Sequence, residues 1–238
     1  MRFLELASRN FKEVWRDRVN MAFLLGMPLA FMLVFGLAFG KDAINYLAPG
    51  AIVFALLILM PASASIIAQD KETGMMPRLL TTPTRPWDFI LGYSLPFIPI
   101  LIVQIAILIG VGYALGLRIE GNFALALLIF FLTGVSTIGL GMILGSFIKQ
   151  AMHAQISWIL IVPMALISGC WGVIGAMPDY LTAIAKAFPA IYAIDSATPV
   201  IMGTASFSDI TTEQIALVAF ALGLFAVGAL LFRIRIPI

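Results

Sequence analysis

The chain has 238 residues, of which 62% are hydrophobic and 11% charged, with a net charge of +2. Soluble domains carry roughly 45–50% apolar and about 25% charged residues, so lipid rather than water must solvate much of this surface. The small net charge excludes a nucleic-acid partner. A single cysteine, Cys170, excludes an internal disulfide, and a single histidine, His153, excludes a two-histidine metal site.

Residues 1–18 lead the chain as an amphipathic helix. Phe3, Leu4, Ala7, Phe11, Val14 and Trp15 recur at helical spacing, and Arg2, Glu5, Arg9, Lys12, Glu13, Arg16 and Asp17 fill the other face. That pattern predicts a helix lying in the lipid headgroup region, with Phe3 and Phe11 on its apolar face and Trp15 at interfacial depth. Its charge and the lack of a small-residue cleavage site exclude a cleaved signal peptide.

Six stretches without Asp, Glu, Lys or Arg follow within residues 19–238: Val19–Gly40, Ala43–Gln69, Phe89–Leu117, Gly121–Ile148, Gln150–Pro178 and Gln214–Phe232. Roughly 20 helical residues cross a hydrocarbon core of about 30 Å, and each stretch is long enough or nearly so. The fold class is therefore all-α, a polytopic membrane protein with six transmembrane helices. Lys41–Ala43 forms the turn between the first two spans. With the N-terminus inside, eleven of the fourteen Lys and Arg residues fall in inner segments and three in outer ones. Positive-inside bias then places both termini in the cytoplasm and the chain in the plasma membrane, the inner membrane of a cell with two.

Two connections are unlike the rest. The inner loop 70–88 is the most polar stretch in the middle of the chain, yet it holds Leu79, Leu80 and Trp87. A solvated loop has no need of them, so the loop is read as packing on something, either a docking partner or the membrane surface. The outer segment 177–213 carries Pro178, Pro189 and Pro199 together with Asp179, Lys186, Asp195, Asp209 and Glu213 among Ala, Ile and Phe. It is too polar to span and too apolar for solvent, which predicts short helices re-entering the outer leaflet.

Enzyme chemistry finds no footing. The run from Gly36 to Lys41 is one residue short of a phosphate loop, and Asp42 stands where Ser or Thr is required. No G-x-S-x-G elbow occurs. The spans hold no ionisable residue except His153 near a boundary, so an ion-coupled carrier is disfavoured and the energy source is external. Gln104, Ser63, Ser65, Thr133, Ser136 and Thr137 are the polar exceptions, predicted to hydrogen-bond between helices. Gly36/Gly40, Gly112/Gly116 and Gly141/Gly145 have the small-x-x-x-small spacing that permits close helix packing without naming a partner.

The loop that begins Asp70-Lys-Glu-Thr-Gly and continues through Leu79-Leu80 and Thr82-Pro83 to Gly92 resembles that of type-2 ABC exporter permeases of the daunorubicin-resistance and multidrug-export kind. Met177-Pro-Asp-Tyr, with Pro189 and Asp195 further on, is similar to the family's stretch between its last two spans. The order of elements matches over essentially the whole chain. The resemblance implies one half of a dimeric channel seated on two copies of a cytoplasmic ABC ATPase subunit, with a second permease subunit, in the simplest case a homodimer. It implies that ATP binds the partner and that no cofactor binds here. It also implies a coupling helix drawn from Glu72, Gly74, Arg78, Leu79, Leu80, Thr82 and Pro83, and an outer re-entrant segment marked by Pro178, Tyr180, Pro189 and Asp195. The expected cargo is a hydrophobic drug, antibiotic or lipid-like molecule moved outward. A lipid-linked polysaccharide, or a scaffold or sensor that transports nothing, stays open as an alternative.

Overall fold

The structure, a computed structural model, describes residues 2–76, 86–171 and 178–234. They form helices α1 (Arg2–Arg16), α2 (Arg18–Leu57), α3 (Leu59–Glu72), α4 (Pro86–Ser94), α5 (Phe97–Leu115), α6 (Phe123–Phe147), a 3-10 turn (Gln150–Met152), α7 (His153–Ile167), α8 (Asp179–Ala185), α9 (Pro189–Ile201) and α10 (Thr211–Ile234). No strand occurs among the described residues. Six helical segments are long and apolar enough to cross a membrane: Arg18–Ala38, Ile44–Glu72, Trp87–Leu115, Phe123–Phe147, Gln150–Ile167 and Thr211–Leu231. The protein is an all-α polytopic membrane protein.

The first two spans share one helix by hydrogen bonding, but they do not continue in one direction. Gln104 Nε2 donates to the Leu24 carbonyl at 3.3 Å and to the Ala55 carbonyl at 3.0 Å. A straight helix would hold those two oxygens about 46 Å apart. The chain therefore doubles back between them. The Leu115 side chain meets Gly36, and the Arg118 N–H donates to Asn45 Oδ1 at 2.8 Å, so the reversal lies between Gly36 and Asn45. The sequence predicts a turn here, and helical bonding persists through it.

Gln104 also repairs a weak point. Pro28 has no N–H to give the Leu24 carbonyl, whereas the Ala55 carbonyl, one turn before the break at Ile58, still accepts from the Ile58 N–H at 3.2 Å. One buried amide on α5 reaches both carbonyls and ties three spans together. The third span is likewise broken, into α4 and α5, because Pro96 cannot continue the ladder.

Close packing of α3 on α6 forms the centre. A Cβ added to Gly141 would fall 2.3 Å from the Met60 carbonyl oxygen, and one on Gly145 would fall 2.4 Å from that of Ala64. Only glycine permits this approach. Ser63 Oγ, between the two helices, lies 3.2 Å from the Ile138 carbonyl. In the other two glycine pairs, Gly36 takes Leu115, and Gly112 takes Leu117 and Met32. Thr133, Ser136 and Thr137 depart from expectation as well. Each donates to the carbonyl four residues earlier in α6, the local bond open to a helical hydroxyl, and not to a neighbouring helix.

At the end opposite α1, α8 and α9 cap the bundle. α9 is buried against α2, α6 and α10, and Tyr192 on α9 packs on Phe220, several turns into α10. Its far end returns to the turn before α6, where the Glu120 N–H donates to the Ile201 carbonyl at 2.9 Å.

Candidate functional site

The end of α3 carries Asp70, Lys71 and Glu72 in succession. Carboxylates at a helix C-terminus face the negative end of the macrodipole, so local electrostatics oppose both acids there. Their partners explain their presence. Consecutive helical residues point about 100° apart, and these three side chains reach three different parts of the molecule.

Asp70 is 2% exposed. Its Oδ1 accepts from Arg9 Nη2 at 2.5 Å, and its Oδ2 accepts from the Tyr93 hydroxyl at 2.6 Å, joining α1, α3 and α4. Burial disfavours the charge on Arg9, but the hydrogen bond and charge of Asp70, helped by Glu13, outweigh it and hold the Arg9 pKa above its ordinary value. Glu13 accepts from Arg9 at 3.2 Å and from Gln69 Nε2 at 2.9 Å. Asn10, fully buried, donates to the Gly92 carbonyl at 3.1 Å, while Leu6 fills the space that a side chain at position 92 would need. α1 is thus joined to both neighbours by polar contacts and by packing.

Lys71 turns the other way. Its ammonium lies 2.6 Å from the Ile148 carbonyl, 3.3 Å from that of Ser146 and 3.4 Å from that of Gly145, capping the C-terminus of α6. A cation is favoured there by the dipole and by the unpaired carbonyls. Glu72 Oε1 accepts from the Gln150 N–H at 3.0 Å, at the head of the 3-10 turn that opens the fifth span. Gln150 in turn donates to Ser65 Oγ at 3.2 Å. Gly74, with φ 71°, then supplies the left-handed residue that ends the α3 turn.

Of the sequence-derived docking residues, Glu72 and Gly74 therefore sit at this node. Arg78, Leu79, Leu80, Thr82 and Pro83 lie outside the described residues. Phe3 and Phe11 are half-buried and Trp15 is exposed, with Phe11 and Trp15 stacked at 5.7 Å. At the other end, Pro178 and Tyr180 are exposed at the start of α8, while Pro189 is buried at the start of α9 and Asp195 lies on its exposed side. Asp70, Lys71, Arg9 and Tyr93 were missed as site residues. The available signal was two acids at the apolar span's end, where the helix dipole gives them no support.

Among the described residues, no group of His, Cys, Asp or Glu is placed to hold a metal ion. What the node can do is mechanical: a displacement of the strip after α3 reaches α1, α4, α6 and the fifth span through named bonds.

Residues 1–202 match the ABC-2 type transporter family. The chain belongs to that family. Individual relatives agree. This permease is 25% identical over 195 residues to the daunorubicin resistance ABC transporter permease protein DrrB1 of Streptomyces coeruleorubidus, covering 77% of this chain and 69% of the relative. It is 26% identical over 191 residues to the linearmycin resistance permease protein LnrN of Bacillus subtilis, covering 79% and 49%. It is 25% identical over 133 residues to the probable multidrug ABC transporter permease YbhR of Escherichia coli, covering 55% and 36%. The match thus takes in about two thirds of the first relative and less than half of the other two. As a member of the ABC-2 family, the chain is a membrane transport permease.

Proposed function

We propose that this permease is the membrane half of an ATP-driven exporter that moves a hydrophobic drug, antibiotic or lipid-like molecule outward. An ABC ATPase subunit, two copies per complex, binds and hydrolyses ATP on the cytoplasmic side. The strip 70–88 is its docking element, with both termini of the permease on the same side and α1 lying along the headgroups. Two permease chains complete the channel. Segment 177–213 re-enters the outer leaflet, with Pro178, Tyr180, Pro189 and Asp195 in its short helices.

The observation that carries this reading is the bonding of Asp70, Lys71 and Glu72 to four separate elements. A grip applied just beyond them moves α1, α3, α4 and α6 together. Close-packed helices respond to such a push as bodies, not by bending. Two relatives are named for daunorubicin and linearmycin resistance and a third as a probable multidrug transporter permease, which supports an amphiphilic cargo. The spans carry ionisable groups only near their ends, in keeping with an external energy source.

The test is ATP hydrolysis by the co-purified complex in liposomes across a panel of drugs, lipids and glycolipids. At least one amphiphilic drug should stimulate turnover several-fold, and Lys71→Met should abolish the stimulation while ATPase binding persists. No response to any compound, together with no growth protection in cells, would overturn the reading.

A further inference from the structure

A cavity of about 200 Å³ opens at the α9 end of the bundle, far from the Asp70 node. Three elements build it: Tyr46 and Gly50 from α2, Gly169 just after α7, and Ile194, Asp195, Thr198 and Pro199 from α9. Gly50 sets its depth. A Cβ there would fall on the Cys170 carbonyl oxygen, so the walls meet backbone to backbone. Asp195 is the one ionisable carboxylate in the lining, and it makes neither an ion pair nor a side-chain hydrogen bond with any described residue.

Each remaining feature of the lining suits a positive charge. Pro199 has no N–H to give the Asp195 carbonyl, which leaves that oxygen without its usual helical donor. Tyr46 lines the same wall, and an aromatic ring there can attract a cation through its quadrupole. Residues 178–213 hold Asp179, Asp195, Asp209 and Glu213 against Lys186 alone, so the segment that carries Asp195 is net acidic. Partial burial, then the charge of Glu213, push the Asp195 pKa up, and Lys186 pulls it down. Ile194 and Pro199 give the lining apolar surface, beside the hydroxyl-bearing Thr198.

We propose that this cavity binds the ammonium group of an amphiphile, with Asp195 as counter-ion and Tyr46 as aromatic wall. Two sources share that chemistry: the amine of a phosphatidylethanolamine and a free amphiphilic cation. The site does not depend on the export reading, and its test needs neither ATP nor an ATPase.

The chain, purified in uncharged dodecyl maltoside, is photolabelled with a diazirine-bearing dodecylammonium probe and with the matching alcohol, and the attachment sites are mapped on peptides. The ammonium should label α9 or the Tyr46 region saturably and about tenfold more efficiently than the alcohol. Asp195→Asn should reduce it to the alcohol level, Asp195→Glu should keep it within about threefold, and Tyr46→Ala should weaken it severalfold. The comparison of the two probes on the unaltered chain holds even where a variant folds poorly. Competition by a few molecules of phosphatidylethanolamine per chain assigns the site to lipid. Competition by dodecyltrimethylammonium alone assigns it to a free cation. Equal labelling by ammonium and alcohol, no effect of Asp195→Asn, or competition by neither compound would overturn the proposal.

Discussion

Two spans with nearly the same hydropathy occupy opposite situations. Arg18–Ala38 has a mean hydropathy of 2.2 and is 22% buried, whereas Ile44–Glu72, at 2.5, is 89% buried. In lipid, apolar side chains gain nothing from leaving the solvent, so hydrophobicity cannot decide which span goes inside. Small and polar residues decide it. The second span offers Ser63 and Ala64 to the α6 glycines and places Asp70 where Arg9 and Tyr93 can meet it. The first span faces outward with Val34 and Leu37. A central post surrounded by an exposed skin is the arrangement that a push at one tip of the post can exploit.

The severest way to break this contrast is Gly141→Leu. With the Met60 carbonyl oxygen 2.3 Å from a mere Cβ, α3 and α6 cannot both keep their places, and the folded yield in membranes should fall to near zero. Asp70→Ala comes next. It removes the Arg9 pair and the Tyr93 acceptor, and should cost about 3 kcal/mol, the low end for a buried pair because Arg9 keeps some access to water. Thermal unfolding in detergent measures it, and Asp70→Asn, which keeps an acceptor for Tyr93, should lose less.

A matched pair then tests the comparison itself. Leu57→Ala, at a fully buried position of the central post, should cost about 2–3 kcal/mol in lost packing. Leu37→Ala, 76% exposed on the outward span, should stay within about 0.5 kcal/mol. Equal effects would remove the distinction. Smallest of the inward changes is Gln104→Leu, which strips one amide from the Leu24 and Ala55 carbonyls and should cost about 1–2 kcal/mol. Chemical denaturation of the purified chain can rank the four.

The span count was legible because charge is excluded from about 30 Å of hydrocarbon, and that leaves long gaps in a sequence. Glycine spacing at 141 and 145 was legible as a pattern, but its partner was not, since Gly112/Gly116 has the same spacing and a different use. Gln104 stood out as a polar residue in a span. That it serves a carbonyl released by Pro28 depends on which helices are neighbours, which is a three-dimensional fact. The loop following α3 was conspicuous for Leu79 and Leu80. Its anchors were less so, because Asp70 and Lys71 look like ordinary charges at a membrane boundary until Arg9 and the end of α6 are brought beside them.

The most direct measurement is the reactivity of Thr73→Cys, at an exposed position at the end of the post, toward a membrane-impermeant maleimide. Native Cys170 is 2% exposed and should stay silent, which a Cys170→Ala background checks. The account predicts no labelling in intact cells, labelling in inside-out vesicles stripped of peripheral proteins, and protection when the ATPase subunit is restored. Labelling from outside intact cells, or vesicle labelling that the ATPase leaves unchanged, would contradict it.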